Sequence, residues 1–301
     1  MPYKHDLEKG NKLRKILIIG SNGYIGSELY MHLKKNGFDI FGIDNYLRSE
    51  SSTEPKETVN KVIGYQELTS DFLDKYDDIV WVAGHSNVRV CIDNPQDAIK
   101  NNLYDLIEFT SSLSDKHRFI YASSGSIYSS DGNRVNIESD STFLPQNTYD
   151  FTKIAFDGYV NSHNIKAITL RFATVNGFSQ RIRSELMINS MVKSAKSNNF
   201  IQLCNAEYKR PILALKDLCR GIESILRSDR NHGIYNLCSF NSPIGKIAEK
   251  VAEELNTEIK IIPDTPTYNF LISAEKFEKD FSFKFNQSIQ DIIKELYENE
   301  Y

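Results

Sequence analysis

The sequence predicts an α/β protein, a doubly wound parallel sheet with a smaller C-terminal α/β domain. Three observations predict it. The stretch Lys15 to Gly26 joins a β-branched apolar run, Ile16 to Ile19, to glycines at 20, 23 and 26, and then to a helical pattern with Ile25, Leu29 and Leu33 on one face. Apolar runs and helical patterns then alternate to about residue 175. Polar clusters at 20–26, 44–45, 84–87, 123–126 and 173–177 all fall at the carboxyl ends of expected strands, where sheets of this kind bind ligands.

The elements follow in order. Residues 1–14 read as a polar leader, 15–20 as the first strand and 24–36 as the first helix, stopped by Asn36-Gly37. Phe38 to Ile43 is a second strand ended by Asp44-Asn45, and 46–60 reads as loop. A weaker strand at 61–64 and a short helix near 67–75 precede the buried strand Ile79 to Ala83. Pro95 opens a long amphipathic helix to about Leu113, proline being favoured in a first turn. Phe119 to Ala122 is another buried strand, 129–146 a polar loop, 147–162 a helix and 166–172 a strand. These make a dinucleotide-binding domain over 15–175. Helices at 184–197, 215–228 and 243–255, strands at 200–203, 234–238 and 258–262, and two terminal helices make a substrate domain over 176–301.

Composition limits the function classes. With 301 residues, 40% hydrophobic and 25% charged, the chain can bury a full core without disulfide staples. A net charge of −4 and no basic block argue against a nucleic-acid partner. Cys91, Cys204, Cys219 and Cys238 show neither a Cys-x-x-Cys pair nor zinc spacing with histidine, so free thiols and no metal are expected. The N-terminus lacks the apolar core of a secretory signal, and no apolar run nears the ~18 residues of a membrane span. No membrane partner and a cytoplasmic location are therefore expected.

Strand, glycine turn and helix form a diphosphate cradle: the helix start offers unpaired N–H groups and the positive end of its dipole. Asp44, at the end of the second strand, can accept hydrogen bonds from ribose hydroxyls and repels a 2′-phosphate, which predicts NAD rather than NADP. Tyr149 and Lys153 lie one helical turn apart on one face. A nearby cation favours the phenolate and suits Tyr149 to proton transfer at a hydroxyl-bearing carbon. Ser123 and Ser124 end a strand opposite that helix start, and a serine hydroxyl can hold the same substrate oxygen. A second pair at this spacing, Tyr30 and Lys34, sits behind the glycine turn, out of reach of a substrate.

With these pieces in place the chain resembles the extended short-chain dehydrogenase/reductases of the NAD-dependent epimerase/dehydratase family, which act on nucleotide sugars. The resemblance rests on Gly20-Ser-Asn-Gly-Tyr-Ile-Gly26, Asp44-Asn45, Val82-Ala83-Gly84, Asn101-Asn102-Leu103, Ser123-Ser124-Gly-Ser-Ile-Tyr128, Tyr149-x-x-x-Lys153 and Leu170-Arg-Phe-Ala-Thr-Val-Asn-Gly177. Lys209-Arg210-Pro211, Lys216-Asp217 and Gly233 to Cys238 continue it. It implies a Rossmann fold and Ser124, Tyr149 and Lys153 as the catalytic trio. NAD would be held by Gly20, Gly23, Tyr24, Ile25, Gly26, Asp44, Asn45, Ala83, Gly84 and Asn102, together with Tyr149 and Lys153. Substrate would meet Ser86, Ser124, Ser126, Tyr149, Thr174 and Arg210, the last pairing with phosphate. The family's dimers pair the helices expected at 95–113 and 147–162, which implies a homodimer.

The subclass is read from what the positions lack. The family's 4,6-dehydratases carry Asp-Glu just after the catalytic Thr, where this chain has Gly125 and Ser126. Without those carboxylates, redox at a single carbon remains. The expected activity is a nucleotide-sugar epimerase, at C4, working through a keto sugar. A reductase or dehydrogenase with exchangeable NAD, and a non-catalytic dinucleotide sensor, stay open as alternatives. The family's adenine-contacting acid is replaced by Gly64-Tyr65-Gln66, its diphosphate Asn by Thr174 and its late Arg by Pro266. Arg181 or Arg183 could supply another phosphate anchor, or the substrate could lack a full nucleotide diphosphate.

Overall fold

The structure is a computed structural model that describes residues 14–46, 57–128, 131–140 and 143–299. Most of the loop expected at 46–60, and the leader before Arg14, lie outside these residues. The chain packs into two compact units. The first takes the described residues up to 123 with 145–170 and 229–234; the second takes the described residues of 124–144, 171–228 and 235 onward.

The first glycine turn is built as its residues dictate. Strand β1 (Lys15–Ile19) is buried from Ile16 onward. Helix α1 (Tyr24–Lys35) follows with Gly23 as its cap, and it buries Leu29 and Leu33. Strand β2 (Asp39–Asp44) pairs with β1 in parallel, and β3 (Lys61–Val62) pairs with β2. After the short α2 (Ser70–Leu73), β4 (Asp78–Trp81) pairs in parallel with the other side of β1. Strand β5 (Arg118–Ser124) extends the sheet beyond β4. With β7 (Ala167–Phe172) and β11 (Gly233–Leu237) the order is β11-β7-β5-β4-β1-β2-β3. The winding reverses between β1 and β4. Right-handed crossovers on either side of that point put helices on opposite faces and leave a crevice beyond the carboxyl ends of these two strands.

Between β4 and β5 the chain departs from the single long helix expected from Pro95. Helix α3 (Val88–Asp93), capped by Asn87, comes first. Then α4 (Pro95–Ile99) runs through a π-helical turn at Lys100–Tyr104 into α5 (Asp105–Thr110). The π-helical turn carries the consecutive Asn101 and Asn102, both buried at 8% and 3% exposed. Helix α6 (Thr148–Ser162) carries Tyr149 and Lys153, with Asn147 accepting from the Asp150 amide. The core of this unit packs Leu17, Ile19, Ile79 and Trp81 against Leu106, Phe109, Phe119, Tyr121 and Phe156.

In the second unit, residues 131–136, expected as loop, form strand β6 (Asp131–Asn136), which pairs in parallel with β14 (Asn269–Ile272). Three further strands, β8 (Thr174–Asn176), β10 (Lys209–Ala214) and β12 (Phe240–Pro243), form a small sheet in the order β12-β10-β8. Strands β9 (Phe200–Leu203) and β13 (Glu258–Ile261) pair in parallel. Helices α7 (Met187–Asn198), α9 (Ile244–Leu255) and α11 (Ile289–Glu298) close a core of Ile188, Val192, Ile201, Ile212, Ile247, Val251, Ile292 and Leu296. Helix α8 (Leu215–Leu226) and the short α10 (Glu275–Asp280) complete the unit.

Candidate active site

The turn after β1 approaches the end of β4 closely. A Cβ on Gly20, where φ is +88°, would lie 2.7 Å from the Ala83 backbone. A Cβ on Gly26 would collide with the Gly20 carbonyl, so α1 packs against its own entry turn only because both positions are glycine. The Gly23 amide donates to the Gly20 carbonyl at 3.1 Å. The helix starts at Tyr24, which is buried, and Ile25, which is half-buried. Asp44 ties β2 to this turn: Oδ2 accepts from the Asn22 amide at 2.9 Å and Oδ1 from the Tyr46 amide at 2.9 Å. Each oxygen keeps a second lone pair for a hydroxyl donor. The cradle, the helix start and the strand-end carboxylate fit a dinucleotide.

Asn102 holds the turn after β4. Its Oδ1 accepts from the His85 amide at 2.7 Å, and its Nδ2 donates to the His85 carbonyl at 2.8 Å and to Thr152 Oγ1 at 3.4 Å. The clamp fixes Gly84 and His85 and leaves Ser86 exposed. Beside it lies a cavity of about 540 Å³ lined by Asn45, Tyr65, Gln66, His85 and Asn101, among others. Tyr65 packs on Trp81 with centroids 4.9 Å apart, and burial pushes its phenol up. The Asn101 Oδ1 is buried without a hydrogen-bond partner, an arrangement that favours a donor from a ligand. Sequence reasoning passed over Asn101 as a binding group because the π-helical turn that aims it inward has no mark in the residue pattern.

Lys153 is 6% exposed. Its Nζ donates to the Ala122 carbonyl on β5 at 2.8 Å, and it lies 5.8 Å from the Tyr149 ring centroid. Burial lowers the ammonium to about 8, against the field of Asp157, which raises it. Tyr149 is half-buried at the first turn of α6. The other pair at this spacing is spent on structure: Tyr30 is buried and donates to Asn60 Oδ1 at 3.3 Å, while Lys34 pairs with Glu57 at 2.9 Å.

In the second unit, Ser124 and Ser126 share a hydrogen bond of 2.9 Å between hydroxyls, and the Ser126 amide donates to Ser124 Oγ at 3.2 Å. Arg210 donates through Nη2 to Thr174 Oγ1 at 2.9 Å and through Nη1 to Thr267 Oγ1 at 3.4 Å, and lies 5.6 Å from the Tyr268 ring centroid. Its Nε is buried without a partner, and among the described residues it has no ion pair. Burial lowers its guanidinium to about 10, still charged at neutral pH. A charged guanidinium with an unmade N–H bond can accept an anion as its partner. Arg183 is spent on Glu185 at 2.8 Å. Among the described residues no cluster of His, Cys, Asp and Glu is placed to hold a metal, and no helix is long and apolar enough to cross a membrane.

Residues 16–238 match the sequence model of the NAD dependent epimerase/dehydratase family. The chain belongs to that family. As a member it is an enzyme of the nucleotide-sugar epimerase/dehydratase kind and uses NAD, which the dinucleotide cradle described above fits. It is 27% identical over 315 residues to the uncharacterized protein MJ1055 of Methanocaldococcus jannaschii, a match that covers 94% of this chain and 95% of that protein. It is 28% identical over 182 residues to UDP-glucuronate 4-epimerase 1 of Arabidopsis thaliana, over 54% of this chain and 42% of the plant protein. The crystal structure of UDP-glucuronic acid 4-epimerase from Bacillus cereus, in complex with UDP-glucuronic acid and NAD, superposes with a TM-score of 0.80 at 19% identity. It covers 94% of this chain and 98% of that one, a likeness of fold.

Proposed function

We propose that this family member is an NAD-dependent nucleotide-sugar epimerase acting at C4. The observation that carries the reading is the hydroxyl pair Ser124–Ser126, 2.9 Å apart. Elimination from a sugar needs a general acid and base, and the family's dehydratases carry carboxylates for it beside the catalytic hydroxyl. Here that neighbour is Ser126, which can orient and hydrogen-bond but cannot take a proton at neutral pH. The remaining chemistry is proton transfer coupled to redox at one carbon. In this reading Tyr149 accepts the proton of the C4 hydroxyl and returns it. Lys153 keeps positive charge near the phenol, and Ser124 donates to the same oxygen. NAD, when bound, supplies a hydride acceptor that becomes the donor for the opposite face. Gly20, Gly23, Tyr24, Ile25, Gly26 and Asp44 would hold its diphosphate and ribose, and Asn45, Ala83, Gly84 and Asn102 its surroundings. Arg210 with Thr174 would take an anionic group of the substrate, and Ser86 and Ser126 would add polar contacts to it.

UDP-glucuronate, the substrate in the names of the plant and Bacillus relatives, is the first to try. Purified protein incubated with it and followed by proton NMR is expected to form the C4 epimer without added NAD, and to retain NAD through gel filtration. Stoichiometric NADH formation with freely exchanging cofactor would replace the epimerase by a dehydrogenase. No turnover of any nucleotide sugar, with Tyr149→Phe indistinguishable from wild type in the cell, would leave a sensor. A homodimer through α4–α5 and α6 belongs to the same reading, and a monomer by light scattering would remove it.

A further inference from the structure

One buried residue beside the proposed catalytic pair has no role in the reading so far. Tyr121 lies on β5, one residue before the carbonyl that receives Lys153, and is 0% exposed. The Lys153 ammonium sits 4.8 Å from its ring centroid, closer than the 5.8 Å to the ring of Tyr149. The ring is held edge-on by Phe156, with centroids 4.6 Å apart, so its face has a fixed aim. The Tyr121 hydroxyl is buried without a hydrogen-bond partner, and burial pushes that phenol well up, so it stays neutral. A neutral aromatic face with a primary ammonium inside 6 Å is a cation–π contact.

We propose that Tyr121 is a positioning residue for Lys153: its ring face carries the ammonium, holding it charged and aimed in its buried position. The need is physical. Among the described residues Lys153 has one hydrogen-bond partner, the Ala122 carbonyl, and no ion pair. An ammonium with three N–H groups and one acceptor, out of water, favours its neutral form unless something else stabilises the charge. Within the described chain the groups that act on it are few, and bound NAD, which the family resemblance places against Lys153, would add its own. On its own helix there are Asp157, one turn on and 7% exposed, whose field raises it, and the ring of Tyr149. On β5 there are Tyr121 and the Ala122 carbonyl, and on α3 there is Cys91. Among the described residues only Tyr121 presents a π face at under 5 Å. The contact needs the ring and not the hydroxyl, so phenylalanine replaces tyrosine here and an aliphatic side chain does not.

The inference rests on Lys153 as the partner of Tyr149, and is tested on the protein without substrate, so it stands or falls apart from the C4 assignment. The side-chain signals of protein labelled with ¹³C-lysine are titrated by NMR, with Lys153 assigned from a Lys153→Arg variant. In wild type the Lys153 midpoint is expected near about 8. Tyr121→Phe is expected to keep it within a few tenths of a unit. Tyr121→Leu, and Tyr121→Met as a better-filling variant in case leucine leaves an unstable core, are expected to lower it by about one unit, or tenfold in protonation equilibrium. An unchanged midpoint in both aliphatic variants overturns the proposal. A fall in Tyr121→Phe equal to that in Tyr121→Leu also overturns it, because the hydroxyl would then be the acting group. If neither aliphatic variant folds, Tyr121 is replaced by fluorinated phenylalanines, whose ring face attracts a cation less as fluorines are added: a midpoint that falls with fluorination upholds the proposal and a constant one overturns it.

Discussion

Two cations, Lys153 buried in the first unit and Arg210 half-buried in the second, show opposite designs. Lys153 is enclosed, with its single hydrogen bond made to a backbone carbonyl and a ring beneath it. Arg210 is held by two threonine hydroxyls and the ring of Tyr268, and keeps a buried Nε without a partner. Neither has an ion pair among the described residues. An ammonium can shed its proton, so burial moves Lys153 to about 8, a value where charge responds to small changes around it. A guanidinium cannot, and Arg210 at about 10 remains a permanent charge with an unmade bond. The first suits proton chemistry; the second suits an anion that arrives from outside.

The contrast predicts where substitutions act. Tyr149→Phe should lower kcat by about 10²–10⁴, the range for a lost general acid–base group, with little change in KM. Steady-state kinetics on the epimerised sugar checks this. A loss confined to KM would put Tyr149 on the binding side of the comparison.

Lys153→Met should stabilise the fold at neutral pH. The ordinary lysine value is 10.5 and the folded value about 8. Between these limits the unfolded chain holds a proton that the folded chain has shed, so stability rises with pH across that window. Below about 8 the cost of the buried charge is fully present, roughly 3 kcal/mol. The melting temperature of Lys153→Met should therefore exceed wild type by several degrees at pH 7, and the gain should fade towards pH 10.5 while activity is lost at all pH values. An equal gain at both pH values would mean that Lys153 is not destabilised by burial.

Arg210→Leu should raise KM by about tenfold to a hundredfold, the loss of a charged hydrogen bond. The substrate-free protein should melt no lower than wild type, since a buried unpaired donor goes with the arginine. Thr174→Val, which removes one tether of Arg210, should raise KM by about fivefold, as expected for one hydrogen bond of about 1 kcal/mol. An effect of Thr174→Val on kcat alone would detach Thr174 from the anion site.

Much of the first unit was legible in the sequence because its signals are local. Ile16 to Ile19, the glycines at 20, 23 and 26 and the Leu29/Leu33 face lie within one strand–turn–helix and need no distant partner. Of the small strands of the second unit, β9 and β13 were legible, expected at 200–203 and 258–262, and β6, β8, β10, β12 and β14 were not. Strand β6 contains Gly132 and the polar residues Asn133 and Arg134, and becomes a strand only by pairing with β14 more than a hundred residues away. Strands β8, β10 and β12 are short and acquire their register from one another.

The sequence by itself determined the α/β order, the glycine turn after β1, the strand-end Asp44 and the Tyr149–Lys153 spacing, because each is set by residues a few positions apart. Tertiary structure alone decided what surrounds them. It put Asn102 on both backbone groups of His85, turned Asn101 into a cavity through a π-helical turn, left Arg210 without a carboxylate and placed Lys153 over Tyr121. The charge of a buried group depends on what solvates it, and those atoms come from elements that only packing brings within reach.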